Sequence, residues 1–284
     1  MDAEKVTGAD ISPLDTFEIE LRLLVDAIYL RYHYDFRRYA MASLKRRMTA
    51  AMSQFDCRTL SQLQDKVLHE PTIFSSLLNY LTVQVSEMFR DPGYFLALRT
   101  SVLPLLRTYP SLKIWVAGCS TGEEAYSLAI LLHEEGLLSR TLIYATDINP
   151  HALKKAEAGV YEIERMAEFT ENHRKSGSSH SLSEYYTAAY DHAVFDAALK
   201  KHVVFSDHSL ATDTVFAEVQ LVSCRNVLIY FDRDLQDRAI GLFRDALCRK
   251  GFLGIGAKES IGLTAHADAF DKIARESRIF QKKA

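Results

Sequence analysis

The sequence predicts an α/β protein in which a doubly wound, largely parallel sheet follows an all-helical unit and carries a small antiparallel β insert. Three observations predict it. Up to about Leu81 the apolar residues recur only at helical spacing, from Leu112 strand-like and helix-like runs alternate, and between Gly159 and Val204 that alternation fails.

Taken in order, residues 12–81 predict about four helices, with Leu21, Leu24 and Ile28 on one apolar face and Phe74, Leu77, Leu78 and Leu81 on another. Pro71 is placed to open a helix, because its missing N–H is one of the donors a first turn leaves unpaired. After Arg90-Asp91-Pro92 a further helix is expected to run to Arg107. LKIWVAG (112–118), TLIYATD (141–147), EVQLVSC (218–224) and FLGIGA (252–257) read as strands. EEAYSLAILLHEEG (123–136) and RDLQDRAIGLFRDALCRK (233–250) read as amphipathic helices, which makes βαβ units. ENHRKSGSSHS (171–181) is polar and glycine-serine-rich and predicts a loop, and EYYTAAYDHAVFDAALKKHVVF (184–205) predicts short antiparallel strands. The expected division is a helical domain with linker over 1–83 and an α/β domain over 84–284, with the insert at about 160–204.

Composition excludes several classes. Hydrophobic residues make up 48% of the chain, enough for an ordinary core, and the net charge of -3 gives no bulk attraction for nucleic acid. Cys57, Cys119, Cys224 and Cys248 form no C-x-x-C pair, which fits neither a disulfide framework nor a zinc site. The ten histidines show no metal-ligand spacing, so no metal is expected; His202 and His208 read as ordinary surface or loop residues. The amino terminus, MDAEKVTGADISPLD, is acidic and polar, unlike a signal peptide, and no run of about 18 apolar residues occurs. A cytoplasmic protein without membrane insertion is the expectation.

The chemistry starts in the first βα turn. After the strand at 113–117 come Gly118-Cys119-Ser120-Thr121-Gly122 and a helix. Two glycines let the backbone approach a ligand, and the free N–H groups of the helix start offer donors. Glu123 and Glu124 follow directly, and carboxylates there repel a pyrophosphate by roughly the several tenths of a kcal/mol of a helix-dipole interaction. Neither G-x-G-x-x-G nor a P-loop is present. S-adenosylmethionine has no phosphate and bears a cationic amino group and a sulfonium, so the acidic pair suits it. Asp147 ends the next strand, where an acid accepts hydrogen bonds from ribose hydroxyls. Each feature also has a plainer reading: a glutamate pair suits the helix dipole, and Asp147 suits a cap on the next helix.

Four motifs in sequence, SEMFRDPGYF, STGEEAYSLAI, ATDINPHALKKA and CRNVLIYFD, resemble the CheR chemotaxis protein methyltransferases, which esterify glutamates of chemoreceptors. The similarity covers nearly the whole chain. It implies an S-adenosylmethionine-dependent methyltransferase with a Rossmann-like sheet, an all-helical amino-terminal domain and a β insert, releasing S-adenosylhomocysteine. Carried over by position, Glu123 contacts the methionine end of the cofactor and Asp147 the ribose. Ser209-Leu210 stands where the family commonly has Asn-Leu near the adenine, and Gly118, Arg225 and Asn226 belong to the same pocket. Gln84 and Ser86 stand where many members have asparagine and threonine, and both keep the ability to hydrogen-bond the cofactor.

The resemblance makes Arg90, beside the cofactor and the reacting centre, and Tyr230, near the transferable methyl, the catalytic candidates. A glutamate carboxylate, with a reference pKa of about 4.3, is already ionised at neutral pH and needs no general base. Arg90 can grip a carboxylate with two prongs and Tyr230 can fix its orientation. Without the resemblance, Arg90 reads as a surface arginine paired with Asp91 or Glu87, and Tyr230 as a core aromatic.

Between Arg31 and Arg47 stand Arg31, Arg37, Arg38, Lys45, Arg46 and Arg47 against the single acid Asp35. Such a basic helix can steer an acidic partner, or be merely a solvated face. The resemblance makes the partner the cytoplasmic helices of a chemoreceptor, with Arg37, Arg38, Arg46 and Arg47 as substrate-binding residues; nucleic acid is not expected, since no stacking platform accompanies the charge. In some members the insert grips a receptor tail peptide by strand addition. Tyr185 to Phe205 contains no glycine for a tight hairpin, so such tethering is expected to be absent or altered. Two other readings stay open: a methyltransferase for another protein, a nucleic acid or a small molecule, and a cofactor-binding regulatory module.

Overall fold

The computed structural model describes residues 15–274 and 276–284. The expectations for the acidic amino terminus and for a helical start at Ser12 fall largely outside the described residues. The helical unit consists of α1 (Thr16–Tyr32), α2 (Met41–Gln54), α3 (Leu60–His69) and α4 (Pro71–Leu81). Asp15 caps α1 by accepting from the Glu18 N–H at 2.7 Å, Thr59 caps α3, and Pro71 occupies the first turn of α4. Leu21, Leu24, Ile28, Leu77, Leu78 and Leu81 meet in one buried core, as their spacing predicts. The basic stretch is not one helix, which corrects that expectation: it spans the end of α1, a loop and the start of α2.

A helical run follows, α5 (Pro92–Ala97), a π-helical turn (Leu98–Val102) and α6 (Leu103–Leu106), and then the sheet begins. Its elements are β1 (Leu112–Ala117), α7 (Glu123–Glu134), β2 (Thr141–Asp147) and α8 (Pro150–Ala158). Next come β3 (Val160–Glu162), α9 (Met166–Lys175), β4 (Tyr186–Ala189), β5 (His192–Phe195), α10 (Ala197–Lys200) and β6 (Val203–Asp207). The chain closes with β7 (Val219–Cys224), α11 (Arg233–Ala246), β8 (Leu247–Ile255), β9 (Phe270–Ala274) and β10 (Ile279–Lys282). The main sheet has the order β6-β2-β1-β7-β8-β10-β9, with β10 antiparallel to both neighbours. Strand order reverses between β1 and β7, and a crevice opens at the carboxyl ends of strands at such a point.

β3, β5 and β4 form a separate antiparallel sheet, the expected insert. Three details differ from expectation. The last helix stops at Ala246, because Leu247 and Cys248 are buried as the start of β8. Glu171 to Lys175 are helical, since Phe169 and His173 on α9 are buried, the His173 ring lying 4.7 Å from that of Phe89. The β4–β5 turn is tight without glycine: Tyr190 takes the left-handed backbone at φ 53 with its side chain fully exposed. Lack of glycine is therefore no argument about what the insert binds.

A buried charge cluster fastens the insert to the sheet domain. Glu134, at the end of α7, receives His173 Nε2 at 2.7 Å, Arg99 at 2.5 Å, Ser178 Oγ at 2.7 Å and the Tyr185 hydroxyl at 3.2 Å. Burial alone pushes its pKa up, but the hydrogen bonds from His173, Ser178 and Arg99 outweigh this and pull it down to about 2. A folded value below the ordinary 4.5 gives stability that is complete above that pH and lost as pH falls towards 2. Between about pH 5 and about pH 3 the wild type is expected to lose roughly 2 kcal/mol more than Glu134→Gln, read from denaturant midpoints. Equal losses would show that Glu134 contributes nothing through its charge.

Candidate active site

The crevice at the carboxyl ends of β1, β2 and β7 is a cleft of about 900 Å³. The linker at 82–90 and the side chains of Tyr39 and Arg47 from the helical unit line its other side. Gly118 lines it at φ 75, a conformation suited to glycine, and a Cβ there would collide with Val227. The N–H groups of Gly118 and Cys119 both donate to the Thr146 carbonyl at 2.8 Å, tying the turn to β2.

Asp147 projects from the end of β2 into the cleft, where burial raises its pKa. Its two oxygens accept backbone N–H groups of Ser120 at 2.8 Å and Asn149 at 2.9 Å, so the carboxylate is fixed before any ligand arrives. The cap of α8 is Asn149, which accepts from the His151 and Ala152 N–H groups, so Asp147 is not the capping residue.

The expectation for Glu123 is corrected. Its side chain is fully buried and turned away from the cleft, with Arg165 Nη1 at 2.9 Å on one oxygen and the Thr121 hydroxyl at 2.7 Å on the other. Glu124 lines the cleft instead, accepting from Ser223 Oγ at 2.6 Å and Arg225 Nη1 at 3.2 Å. Successive helical residues point about 100° apart, so only one of the pair can face the crevice.

Arg225 lines the cleft as a fixed wall. Its Nη2 donates to Asp91 at 2.8 Å and to the Arg90 carbonyl at 2.6 Å, and its guanidinium lies 4.3 Å from the Tyr94 ring centre. Asp91 is thereby taken, and among the described residues the Arg90 side chain has no ion-pair partner, neither Asp91 nor Glu87. Phe89 and Asp91 on either side of Arg90 have positive φ (51 and 53), a strained backbone held by its surroundings.

Gln84 receives the Ser120 hydroxyl at 2.9 Å and donates to Thr82 at 2.9 Å, which joins linker to turn. Ser86 and Leu210 also line the cleft; Ser209 does not, its N–H being held by Asp213 at 2.9 Å in a local turn. His208 lies in a loop, one of its two expected places, but it is not a surface residue. It is buried on the cleft wall, its ring edge-on to Trp115 at 5.2 Å, with Nε2 at 3.1 Å from the Thr214 carbonyl and Nδ1 without a partner among the described residues.

Asn226, at φ 60, begins the loop that leads to Tyr230. Glu259 pins that loop, accepting from the N–H groups of Gly256 at 2.6 Å, Asn226 at 3.1 Å and Ile229 at 3.3 Å. Burial raises its pKa, and nothing in the sequence pattern singles it out. Tyr230 is half-buried on the cleft with Arg47 stacked on its ring at 4.4 Å, so it is not a core aromatic. Its carbonyl accepts from the Ala40 N–H at 2.8 Å, and Asp232 N–H donates to the Arg38 carbonyl at 2.8 Å, a two-bond seam between helical unit and loop.

Three of the four substrate-binding candidates have partners within the chain. Arg37 pairs with Asp35 at 2.8 Å, Arg38 with Asp234 at 2.7 Å, and Arg47 is buried, donating to the Leu81 carbonyl. Arg46 alone of the four is exposed and has no ion-pair partner among the described residues.

These residues fit S-adenosylmethionine: two carboxylates and an apolar wall face the cleft, and among the described residues a buried nitrogen of the lining His208 has no hydrogen-bond partner. Sheet order, glycine turn and the acid ending β2 define the doubly wound methyltransferase class. Residues 84–279 match the model of the CheR methyltransferase SAM binding domain, and residues 19–82 match that of the CheR methyltransferase all-alpha domain. The chain belongs to the CheR methyltransferase family, and its cofactor is S-adenosylmethionine.

Among relatives, the chain is 60% identical over 265 residues to the putative methyltransferase Cher3 of Pseudomonas putida, spanning 93% of this chain and 97% of that one. It is 30% identical to a chemotaxis protein methyltransferase of Listeria innocua, over 80% of this chain and 84% of that one. An uncharacterized 104.1 kDa protein of Rhodobacter capsulatus matches 99% of this chain at 29% identity, but the match spans only 29% of its own length. Among the described residues, no helix is long and apolar enough to cross a membrane.

Proposed function

We propose that this enzyme acts in the cytoplasm and methylates glutamate side chains on the cytoplasmic helices of chemoreceptors, giving methyl esters in sensory adaptation. The observation that carries the reading is the contrast between Arg90 and the acids beside it. Arg90 is a cleft cation without an ion-pair partner among the described residues, whereas Glu124 and Asp147 are already engaged. The cleft therefore offers a grip for an anion and no idle carboxylate base. An amine or alcohol acceptor must lose a proton to attack, while a glutamate with a pKa of about 4.3 is ionised on arrival. The relative called a chemotaxis protein methyltransferase supports the same reading.

When bound, S-adenosylmethionine supplies an electrophilic methyl on its sulfonium. Arg90 holds the incoming carboxylate in a planar two-pronged grip, and Tyr230, kept in place by Arg47 and the Ala40 seam, orients it through its hydroxyl. Asp147 and Glu124 hold the ribose and the amino group. Because the reaction cancels an anion against a cation, a cation bound too tightly to the carboxylate would slow it. Arg90 acts chiefly by position. Arg46 and Arg31, both exposed, lie on the helical unit that meets the receptor helix.

Receptor cytoplasmic fragments that carry glutamate at the accepting positions are expected to take up labelled methyl, and fragments carrying glutamine there are not. Equal labelling of both would reject the carboxylate as acceptor.

A further inference from the structure

We propose that Arg165, on the insert, is a positioning residue that sets the cofactor-binding linker against the glycine turn. It emerges directly after β3 and makes three contacts at once. Its Nη1 donates to the buried Glu123 at 2.9 Å, its Nη2 donates to the Ser86 carbonyl, and its guanidinium lies 4.6 Å from the Phe169 ring centre. Glu123 is the first residue of α7, and Ser86 lies between Gln84 and Arg90 on the linker, so one planar fork spans the two walls of the cleft.

Other bonds from the same segment run the same way. The Tyr161 hydroxyl on β3 donates to the Thr121 carbonyl at 2.8 Å, and Asn172 on α9 donates to the Met88 carbonyl at 3.3 Å. The His173 ring rests 4.7 Å from that of Phe89, the residue before Arg90. The segment from β3 to α9 thus holds the turn at Thr121 and Glu123 and the linker at Ser86, Met88 and Phe89. Among the described residues Arg165 alone bonds to both in one side chain, and the fully buried Glu123 carboxylate accepts from Arg165 and Thr121. The linker presents Gln84 and Arg90 correctly only while this bridge stands. The inference holds whichever acceptor is methylated.

The test uses the full chain and S-adenosylhomocysteine. Arg165→Lys keeps a cation beside Glu123 but cannot bond in a planar fork to both Glu123 and Ser86. Glu123→Gln/Arg165→Met removes the two side chains' charges together, so that loss of the bridge is read without an isolated anion. Both variants are expected to melt as folded proteins, to bind S-adenosylhomocysteine about tenfold more weakly by calorimetry, and to show faster amide hydrogen exchange confined to residues 84–90 and the turn. A merely stabilising ion pair would lower the melting temperature and leave affinity and linker exchange as they are. Wild-type affinity in either folded variant overturns the proposal.

Discussion

Asp147→Ala is expected to raise the dissociation constant for S-adenosylhomocysteine by at least about 100-fold. In the proposed site Asp147 accepts hydrogen bonds from two ribose hydroxyls; hydrogen bonds to a carboxylate contribute roughly 1.5 to 3 kcal/mol each, and about 1.4 kcal/mol is a factor of ten. Alanine also leaves the Ser120 and Asn149 N–H groups without their acceptor, so the glycine turn loses its brace. Asp147→Asn, which keeps one acceptor oxygen and the shape, is expected to lose less. Calorimetry reads both. An alanine variant that is folded and binds within about threefold of wild type would remove Asp147 from the cofactor site.

The second large effect is expected at Arg90. Arg90→Met should lower kcat about 100-fold with a receptor fragment as acceptor, while affinity for S-adenosylhomocysteine changes by less than about tenfold. Loss concentrated in kcat marks a group that holds the acceptor in line rather than one that binds cofactor. Arg90→Lys should recover little, because a point charge cannot reproduce the planar grip. A variant with wild-type kcat would make Arg90 a spectator of the cleft. Its neighbours are not available to take over: Arg225 is bound to Asp91 and Glu124, and Arg47 is buried against Tyr230.

The parts of the fold readable in the sequence are those where one element answers to one local pattern. LKIWVAG, TLIYATD and EVQLVSC became β1, β2 and β7 almost residue for residue, because strands buried in the middle of a parallel sheet are near-continuous apolar runs. Pro71 opened α4 for a reason internal to one turn. Leu247 and Cys248 continue the apolar period of α11 yet begin β8, since the choice is made by Val219 on the neighbouring strand. The helix at Glu171 to Lys175 was likewise decided by the burial of Phe169 and His173.

At the site the difference is sharper. The glycine turn, Asp147, Arg90 and Tyr230 stand in recognisable strings, and the cleft contains all four. Which of Glu123 and Glu124 faces it depends on the rotation of α7, and the answer comes from partners about forty and a hundred residues away, Arg165 and Arg225. Glu259 and His208 carry no local signal at all, since their roles come from loops that meet them only in the folded chain. The basic run between Arg31 and Arg47 shows the reverse: a strong sequence signal of which half is paired within the chain, Arg37 with Asp35, Arg38 with Asp234 and Lys45 with Glu18.

In the proposed function the methyl group ends on a carboxylate. The measurement closest to it is the alkali stability of label transferred from methyl-labelled S-adenosylmethionine to a receptor cytoplasmic fragment. An ester releases its label as volatile methanol on mild alkaline treatment, and that release is what a cleft whose Arg90 has no ion-pair partner among the described residues, and whose lining carboxylates Glu124 and Asp147 are engaged, predicts. Label that stays on the fragment through alkali would mean a methyl on nitrogen, sulfur or an ether oxygen, and would contradict a carboxylate acceptor.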